Sequence, residues 1–273
     1  MRRPGAAIAV NAALVVGAVL TAFPLLWMLS VSFMPRGVAS SYPPPLLPDA
    51  PTLDNYRELF ANHSAGRYML NSSLVATLAT LISLMINTMA GYAFAKLRFR
   101  GRERLFRFLL GALVIPAQVT MIPLFAMVKE MGLVSTYGGV LVPTLASVFG
   151  IFLVRQYALS LPDELLEAAR IDGASEGRIF WSLVLPLLRP ILVTLAILTF
   201  LATWNDFMWP LIVLTDQKLH TLPVALAGLS REHVQDNEMM MAGAVITVTP
   251  VLVLFLALQR YYIAGILAGS VKG

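Results

Sequence analysis

The chain has 273 residues, of which 58% are hydrophobic and 13% are charged, and its mean hydropathy is +0.76. Soluble domains carry about 25% charged residues, so this chain lacks the charge that a water-exposed surface needs, and a lipid bilayer is its expected solvent. Cysteine is absent, which excludes disulfides, zinc–thiolate sites, iron–sulfur clusters and cysteine nucleophiles. The three histidines, His63, His220 and His233, are scattered and have no metal-ligand spacing.

Six apolar runs have the length that a membrane-spanning helix needs. In chain order they cover about residues 6–33, 70–95, 108–128, 137–154, 190–214 and 240–258. The first run follows Arg2 and Arg3, as in a signal peptide, but it is too long for a signal-peptide core, which predicts a retained helix. The third contains Pro116 and Pro123, which spanning helices tolerate where neighbouring groups satisfy the freed backbone. Six spans put both termini on the same side of the membrane.

The basic residues are distributed unequally between the two sides. The net charge is +5, and fourteen of the twenty lysines and arginines lie on the side that holds both termini. The densest stretch, KLRFRGRERLFR, covers residues 96–107 between the second and third runs. The positive-inside rule therefore places this side, with both termini, in the cytoplasm. A nucleic-acid or lipid-binding patch is the alternative interpretation of the stretch, but topology alone accounts for a short basic loop between spans.

Residues 160–188, between the fourth and fifth runs, predict a helical hairpin outside the membrane. Pro162 suits a first helical turn, and Asp163 and Glu164 place negative charge at the positive end of the helix dipole. Gly173 can end this first helix, because glycine adopts positive φ at low cost. One apolar face of the helix is predicted from the spacing of Leu161, Leu165, Ala168 and Ala169.

The second helix of the hairpin is predicted to begin at Ser175, which can cap it, with Glu176 in its first turn. Its apolar face consists of Ile179, Phe180, Leu183 and Val184, and Pro186 and Pro190 interrupt the pattern before the fifth run. Two interpretations of the hairpin remain open on physical grounds. It is either an amphipathic loop lying on the lipid headgroups or a docking surface for another protein.

The spacing within the hairpin resembles the EAA signature of ABC importer permeases. Glu167–Ala169 reads EAA; three residues, Gly173 and nine further residues follow, and LVLP ends at Pro186. The family signature is Glu-Ala-Ala, three residues, Gly, nine residues, Ile-x-Leu-Pro, so Leu183 replaces the preferred isoleucine. The chain is also similar to the smaller permease of maltose-type importers over essentially its whole length, including the stretches ARIDGAS, WNDF at Trp204–Phe207 and GILAGSVKG at Gly265–Gly273.

This resemblance implies an all-α, polytopic membrane protein with six transmembrane helices, a cytoplasmic EAA-type hairpin and a single permease domain over residues 1–273. It also implies half of a translocation pathway for a sugar or oligosaccharide in the bacterial cytoplasmic membrane. The implied partners are a cytoplasmic ABC ATPase dimer, a second permease subunit, an extracytoplasmic solute-binding protein and membrane lipid, with no nucleic acid. The residues implied to couple the hairpin to the ATPase are Glu167, Ala168, Ala169, Asp172, Gly173, Leu185 and Pro186.

The chain itself is not expected to be an enzyme or to bind a cofactor. It contains no Gly-Lys dipeptide, so it has no GxxxxGK[ST] phosphate loop, and the resemblance assigns ATP and magnesium to the partner ATPase. A stand-alone secondary transporter or channel is the alternative function. Ion-coupled transport expects several ionisable residues within the membrane, whereas Asp206 is the one acidic residue in the six runs. A membrane enzyme would need clustered histidines or carboxylates at one membrane depth, which the runs lack.

Four polar residues within the predicted spans are candidates for the pathway or its gate: Asn87, Gln118, Asn205 and Asp206. Each amide either lines a sugar path through hydrogen bonds or bridges neighbouring helices. Thr199 and Thr203 lie seven and three residues before Asp206, so the three side chains share a helix face. Alternatively, the carboxylate caps nearby backbone while Trp204 and Trp209 anchor the segment at the membrane interface.

Overall fold

The computed structural model describes residues 4–232 and 236–270, and all regular structure within them is helical. Short 3₁₀ turns aside, the first seven α-helices are α1 (Pro4–Ser32), α2 (Asp54–Ala61), α3 (Ala65–Lys96), α4 (Arg102–Ala112), α5 (Ala117–Glu130), α6 (Tyr137–Leu141) and α7 (Val148–Leu159). The remainder are α8 (Asp163–Ile171), α9 (Glu176–Ile179), a π-helical turn (Phe180–Val184), α10 (Leu185–Leu187), α11 (Arg189–Trp204), α12 (Met208–Val213), α13 (Leu222–Glu232) and α14 (Asn237–Ser270). His233, Arg2, Arg3 and residues 271–273 lie outside the described residues.

Within the described residues, three stretches of helix are long and apolar enough to cross a membrane by themselves: Val10–Ser32, Ala65–Lys96 and Asn237–Ala257. Three further pairs of helices meet this test together, and each pair is bent. The bends measure 104° between α4 and α5, 42° between residues 137–144 and α7, and 78° between residues 176–187 and α11. Counting each bent pair as one span brings the described residues to six spans, in agreement with the predicted all-α, six-span fold.

The third, fourth and fifth spans are each broken where the sequence predicts a continuous run. In the fourth, a 3₁₀ turn ends at Thr144 and α7 begins at Val148. The third run breaks at residues 113–116, where Pro116 is extended with ψ of 134°. Proline lacks an N–H donor and disfavours helical geometry at the residue before it, so the chain turns here, whereas Pro123 is accommodated inside α5. The fifth run also breaks, because α11 ends at Trp204 and α12 begins at Met208.

Contacts divide the chain into two units, residues 1–69 with 222–250 and residues 70–221 with 251–273. In the first unit, buried Asn55 donates from its amide to the carbonyl oxygens of Ser32 (3.0 Å) and Met34 (2.9 Å), which joins α2 to the end of α1. Arg36 pairs with Asp236 at 3.0 Å immediately before α14. A single permease domain over the whole chain stays a prediction.

In the second unit, the hairpin is packed against the long helices through one continuous apolar core. The core contains Leu166, Ile179 and Val184 of the hairpin together with Tyr92 of α3, Val154 of α7 and Leu195 of α11. Helices α3 and α7 approach closely at Gly91, where an added Cβ atom would lie 2.7 Å from the side chain of Val154. Close approach at a small residue is how helices pack inside a membrane, where dispersion contacts rather than water exclusion stabilise association.

Candidate functional site

The turn of the hairpin has the geometry that the sequence predicts. Gly173 follows α8 with φ of +80°, and its N–H donates to the carbonyl of Arg170 at 3.0 Å. The N–H of Ala174 donates to the carbonyl of Ala169 at 3.0 Å, which completes a Schellman motif at the end of the helix. Ser175 then caps α9 by accepting a hydrogen bond from the N–H of Arg178. The structure confirms the predicted helix–turn–helix, in which Gly173 ends the first helix and Ser175 caps the second.

The predicted apolar face of α8 is divided between the core and the surface, because Leu161 and Ala169 are partly buried against the core. Leu166 is buried, whereas Leu165 is 45% exposed and Ala168 is also exposed. The main core contact of α8 is therefore Leu166, which the predicted face did not include, because a helix of nine residues has too few apolar positions for periodicity alone to choose the buried ones. The predicted face of the second helix is correct, since Ile179, Phe180 and Val184 are all buried.

The outer face of the hairpin, defined as Leu165, Glu167, Ala168, Ile171, Asp172 and Gly173, is exposed. Ile171 is 86% exposed although it is a large apolar residue, and it is not among the predicted coupling residues. The sequence signal that could have identified Ile171 is a large apolar residue in the last helical turn before Gly173. Of the other predicted coupling residues, Ala169 and Leu185 are half-buried and Pro186 is exposed at the base of the hairpin.

The end of α3 is hydrogen-bonded to both arms of the hairpin, of which the first arm is residues 160–172 and the second arm is residues 175–187. Lys96 donates from Nζ to the carbonyl oxygen of Leu161 and to Oδ1 of Asp163, each at 2.6 Å. The hydrogen bond from Lys96, with its positive charge, lowers the pKa of Asp163, so this carboxylate is ionised at neutral pH. One helical turn earlier, Tyr92 donates to Glu176 over a longer 3.4 Å.

A cavity of about 590 Å³ lies between α3, α7, α11 and the segment that joins α6 to α7. Among apolar side chains, its lining carries five hydroxyl groups and one carboxylate, on Ser83, Thr144, Ser147, Thr199, Thr203 and Asp206. No lysine, arginine or histidine is among the residues that the structure places in this lining. Carbohydrates present hydroxyl groups beside apolar C–H faces, so the lining has the chemistry to contact an uncharged sugar.

Of the four candidate pathway residues, the structure brings Asp206 alone to this cavity. Its carboxylate also accepts the N–H of Trp209 at 3.4 Å, at the start of α12. Asn205 is exposed and donates back to the carbonyl of Leu201 in its own helix, and Gln118 is exposed in the first turn of α5. Asn87 is fully buried and bridges helices: it donates to Ser83 and accepts the N–H of Ser147. The predicted face of Thr199, Thr203 and Asp206 is confirmed as a shared lining.

Known transport proteins are similar to this chain in sequence. Residues 87–267 match the family model described as binding-protein-dependent transport system inner membrane component. The arabinooligosaccharides transport system permease protein AraQ of Halalkalibacterium halodurans is 40% identical over 265 residues, covering 94% of this chain and 93% of that protein. The melibiose/raffinose/stachyose import permease protein MelC of Bacillus subtilis is 34% identical over 253 residues, covering 92% and 91% respectively.

A solved structure has the same fold. One chain of a bacterial ABC transporter involved in the import of the acidic polysaccharide alginate matches with a TM-score of 0.85 at 24% identity, covering 96% of this chain and 99% of that chain. Fold and relatives together define a multi-pass membrane subunit of a transporter, not an enzyme. The chain belongs to the family of binding-protein-dependent transport system inner membrane components, and the predicted ABC importer permease is confirmed.

Proposed function

We propose that this permease forms half of a translocation pathway for an uncharged sugar or oligosaccharide and that the hairpin couples the pathway to an ATPase dimer in the cytoplasm. The observation that carries the proposal is the division of the hairpin into two faces. Leu166, Ile179 and Val184 bind it to the core, while Leu165 and Ile171 remain exposed. Exposed apolar side chains on a charged segment are typical of a surface that a partner protein covers.

The carbohydrate substrate is supported by the cavity and by the relatives. The hydroxyl groups of the cavity lining can donate hydrogen bonds to sugar hydroxyls and accept them. Asp206 offers a strong acceptor beside Thr199 and Thr203. The relatives described above are permeases for arabinooligosaccharides and for melibiose, raffinose and stachyose. Asn205, Gln118 and Asn87 have no place in this proposed lining.

The remaining partners follow from the membership of the family. A binding-protein-dependent system includes a solute-binding protein, which we place at the extracytoplasmic loops, including residues 215–239. A second permease subunit supplies the other half of the pathway, and ATP and magnesium bind to the ATPase. Both termini and the basic stretch at residues 96–107 lie in the cytoplasm in this arrangement, and lipid surrounds the spans.

Purification from native membranes followed by reconstitution tests the proposal. We expect an ABC ATPase and a second permease to co-purify with this chain, and sugar uptake by proteoliposomes to require ATP and the solute-binding protein. The binding protein is first screened against neutral sugars by thermal shift, and the sugar that it retains is the probe. Uptake by this chain alone, without an ATPase, would instead support a stand-alone transporter.

A further inference from the structure

The end of α3 contacts the hairpin on both sides of its turn. Lys96, the last residue of α3, binds Leu161 and Asp163 at the start of the first arm. Tyr92 reaches Glu176 at the start of the second arm. Arg170 donates to Glu176 at 2.6 Å and so joins the two arms across the turn. A displacement of either arm therefore acts on the last two turns of α3.

The contact at Lys96 is the stronger of the two. The Lys96 side chain is 6% exposed, and both of its acceptors lie at 2.6 Å. Both hydrogen bonds are charge-assisted, and separating α3 from the start of α8 would break both of them. Asp163 is 72% exposed, so its substitution leaves the packing of the core intact. Among the described residues, Asp163 supplies the one carboxylate within salt-bridge distance of Lys96.

Helix α3 also reaches the cavity. Ser83 lies 13 residues before Lys96 in the same helix, which corresponds to roughly 20 Å along its axis. Four residues after Ser83, Asn87 binds Ser147, a second lining residue. Helix α3 contains no proline and is continuous. The three other helix pairs that could span the membrane in this unit are bent: α4 with α5, α6 with α7, and α9 with α11.

We propose that Lys96 is a positioning residue through which movement of the hairpin reaches the sugar pathway. The inference rests on the proposed docking of the hairpin to an ATPase. When the ATPase moves the outer face of the hairpin, the Lys96–Asp163 ion pair moves α3 with it, and α3 carries Ser83 and Asn87. Without the pair, the apolar core joins α3 to the hairpin with less support, so α3 follows the hairpin less closely and more ATP is hydrolysed for each sugar transported.

The test compares Asp163→Ala with Glu164→Ala in the complete reconstituted complex. Both changes remove one negative charge from the first turn of α8, but Glu164 does not bind Lys96. We expect Asp163→Ala to raise the ATP hydrolysed per sugar transported by about fivefold or more, the lower end of a typical coupling effect. The Glu164→Ala complex should keep the ratio of the unmodified protein. An unchanged ratio in Asp163→Ala overturns the inference.

Two further variants separate coupling from stability. Lys96→Arg retains the charge and should retain the ratio, whereas Lys96→Gln should raise it as Asp163→Ala does, and the effects of the two changes should not add. A purely structural role predicts instead less assembled complex with an unchanged ratio, which also overturns the inference. If the complexes contain no ATPase, the proposed function itself fails. If the ATPase is present and drives uptake with the same ratio in every variant, only the role of Lys96 fails.

Discussion

At the scale of single residues, Asp206 is the charged side chain of the cavity lining and the most informative position for substrate contact. Asp206→Asn keeps the shape and one acceptor oxygen but removes the charge. A hydrogen bond to a charged group contributes about 1.5–3 kcal/mol, so we expect initial sugar uptake by the reconstituted complex to fall about tenfold or more if the carboxylate contacts the sugar.

The matched control for Asp206 is Glu164→Gln, an acid-to-amide change outside the cavity, which should leave uptake unchanged. Thermal unfolding of both variants is measured in parallel, because Asp206 also accepts the N–H of Trp209. If Asp206→Asn retains full uptake and full sugar-stimulated ATP hydrolysis, the carboxylate only caps α12 and the sugar does not bind it.

At the scale of elements, the hairpin depends on the left-handed backbone of Gly173. Apart from its two chain neighbours, no described residue has an atom within 4 Å of an added Cβ, so the backbone conformation, not the space, requires glycine. We expect Gly173→Val to lose at least about 1–2 kcal/mol of hairpin stability, because a β-branched residue is disfavoured at φ of +80°. Retention of the ATPase subunit during purification measures the effect, and Gly173→Val should retain less.

Gly173→Asn is the control, since asparagine tolerates positive φ far better than valine does. Normal ATPase retention and transport in the asparagine variant, with loss in the valine variant, shows that the backbone of the turn is what matters. Loss in both shows instead that the partner approaches too closely for any side chain. Normal retention and transport in both variants contradicts docking through this hairpin.

At the scale of the whole molecule, the absence of cysteine permits single cysteines to report the orientation in the membrane. Cysteines at the exposed positions Ser41 and Gln217 should react with an impermeant maleimide in intact cells. Cysteines at Arg100 and Gly177 should react only after permeabilisation. Arg100 is preferred to neighbouring Gly101, whose φ of +82° strains any side chain. Reversed labelling would contradict the placement of both termini in the cytoplasm.

The sequence by itself determined the features that depend on a few adjacent residues or on summed hydropathy. Six apolar runs with basic residues on one side predict a six-span membrane protein. The turn at Gly173 and the cap at Ser175 are local backbone chemistry, and the structure has both. The break at Pro116 is also local, but whether a proline bends or ends a helix depends on what surrounds it, and Pro123 continues its helix where Pro116 does not.

Only the tertiary structure decided which residues distant in the chain meet. Leu166 rather than Leu165 is buried because the core that α8 packs against comes from α3, α7 and the second arm of the hairpin. Lys96 and Asp163 are separated by 67 positions, so nothing in either neighbourhood marks them as a pair. Asp206 joins Ser83 and Ser147 in one lining for the same reason: side-chain chemistry is encoded residue by residue, whereas a cavity exists only where packed helices leave space between them.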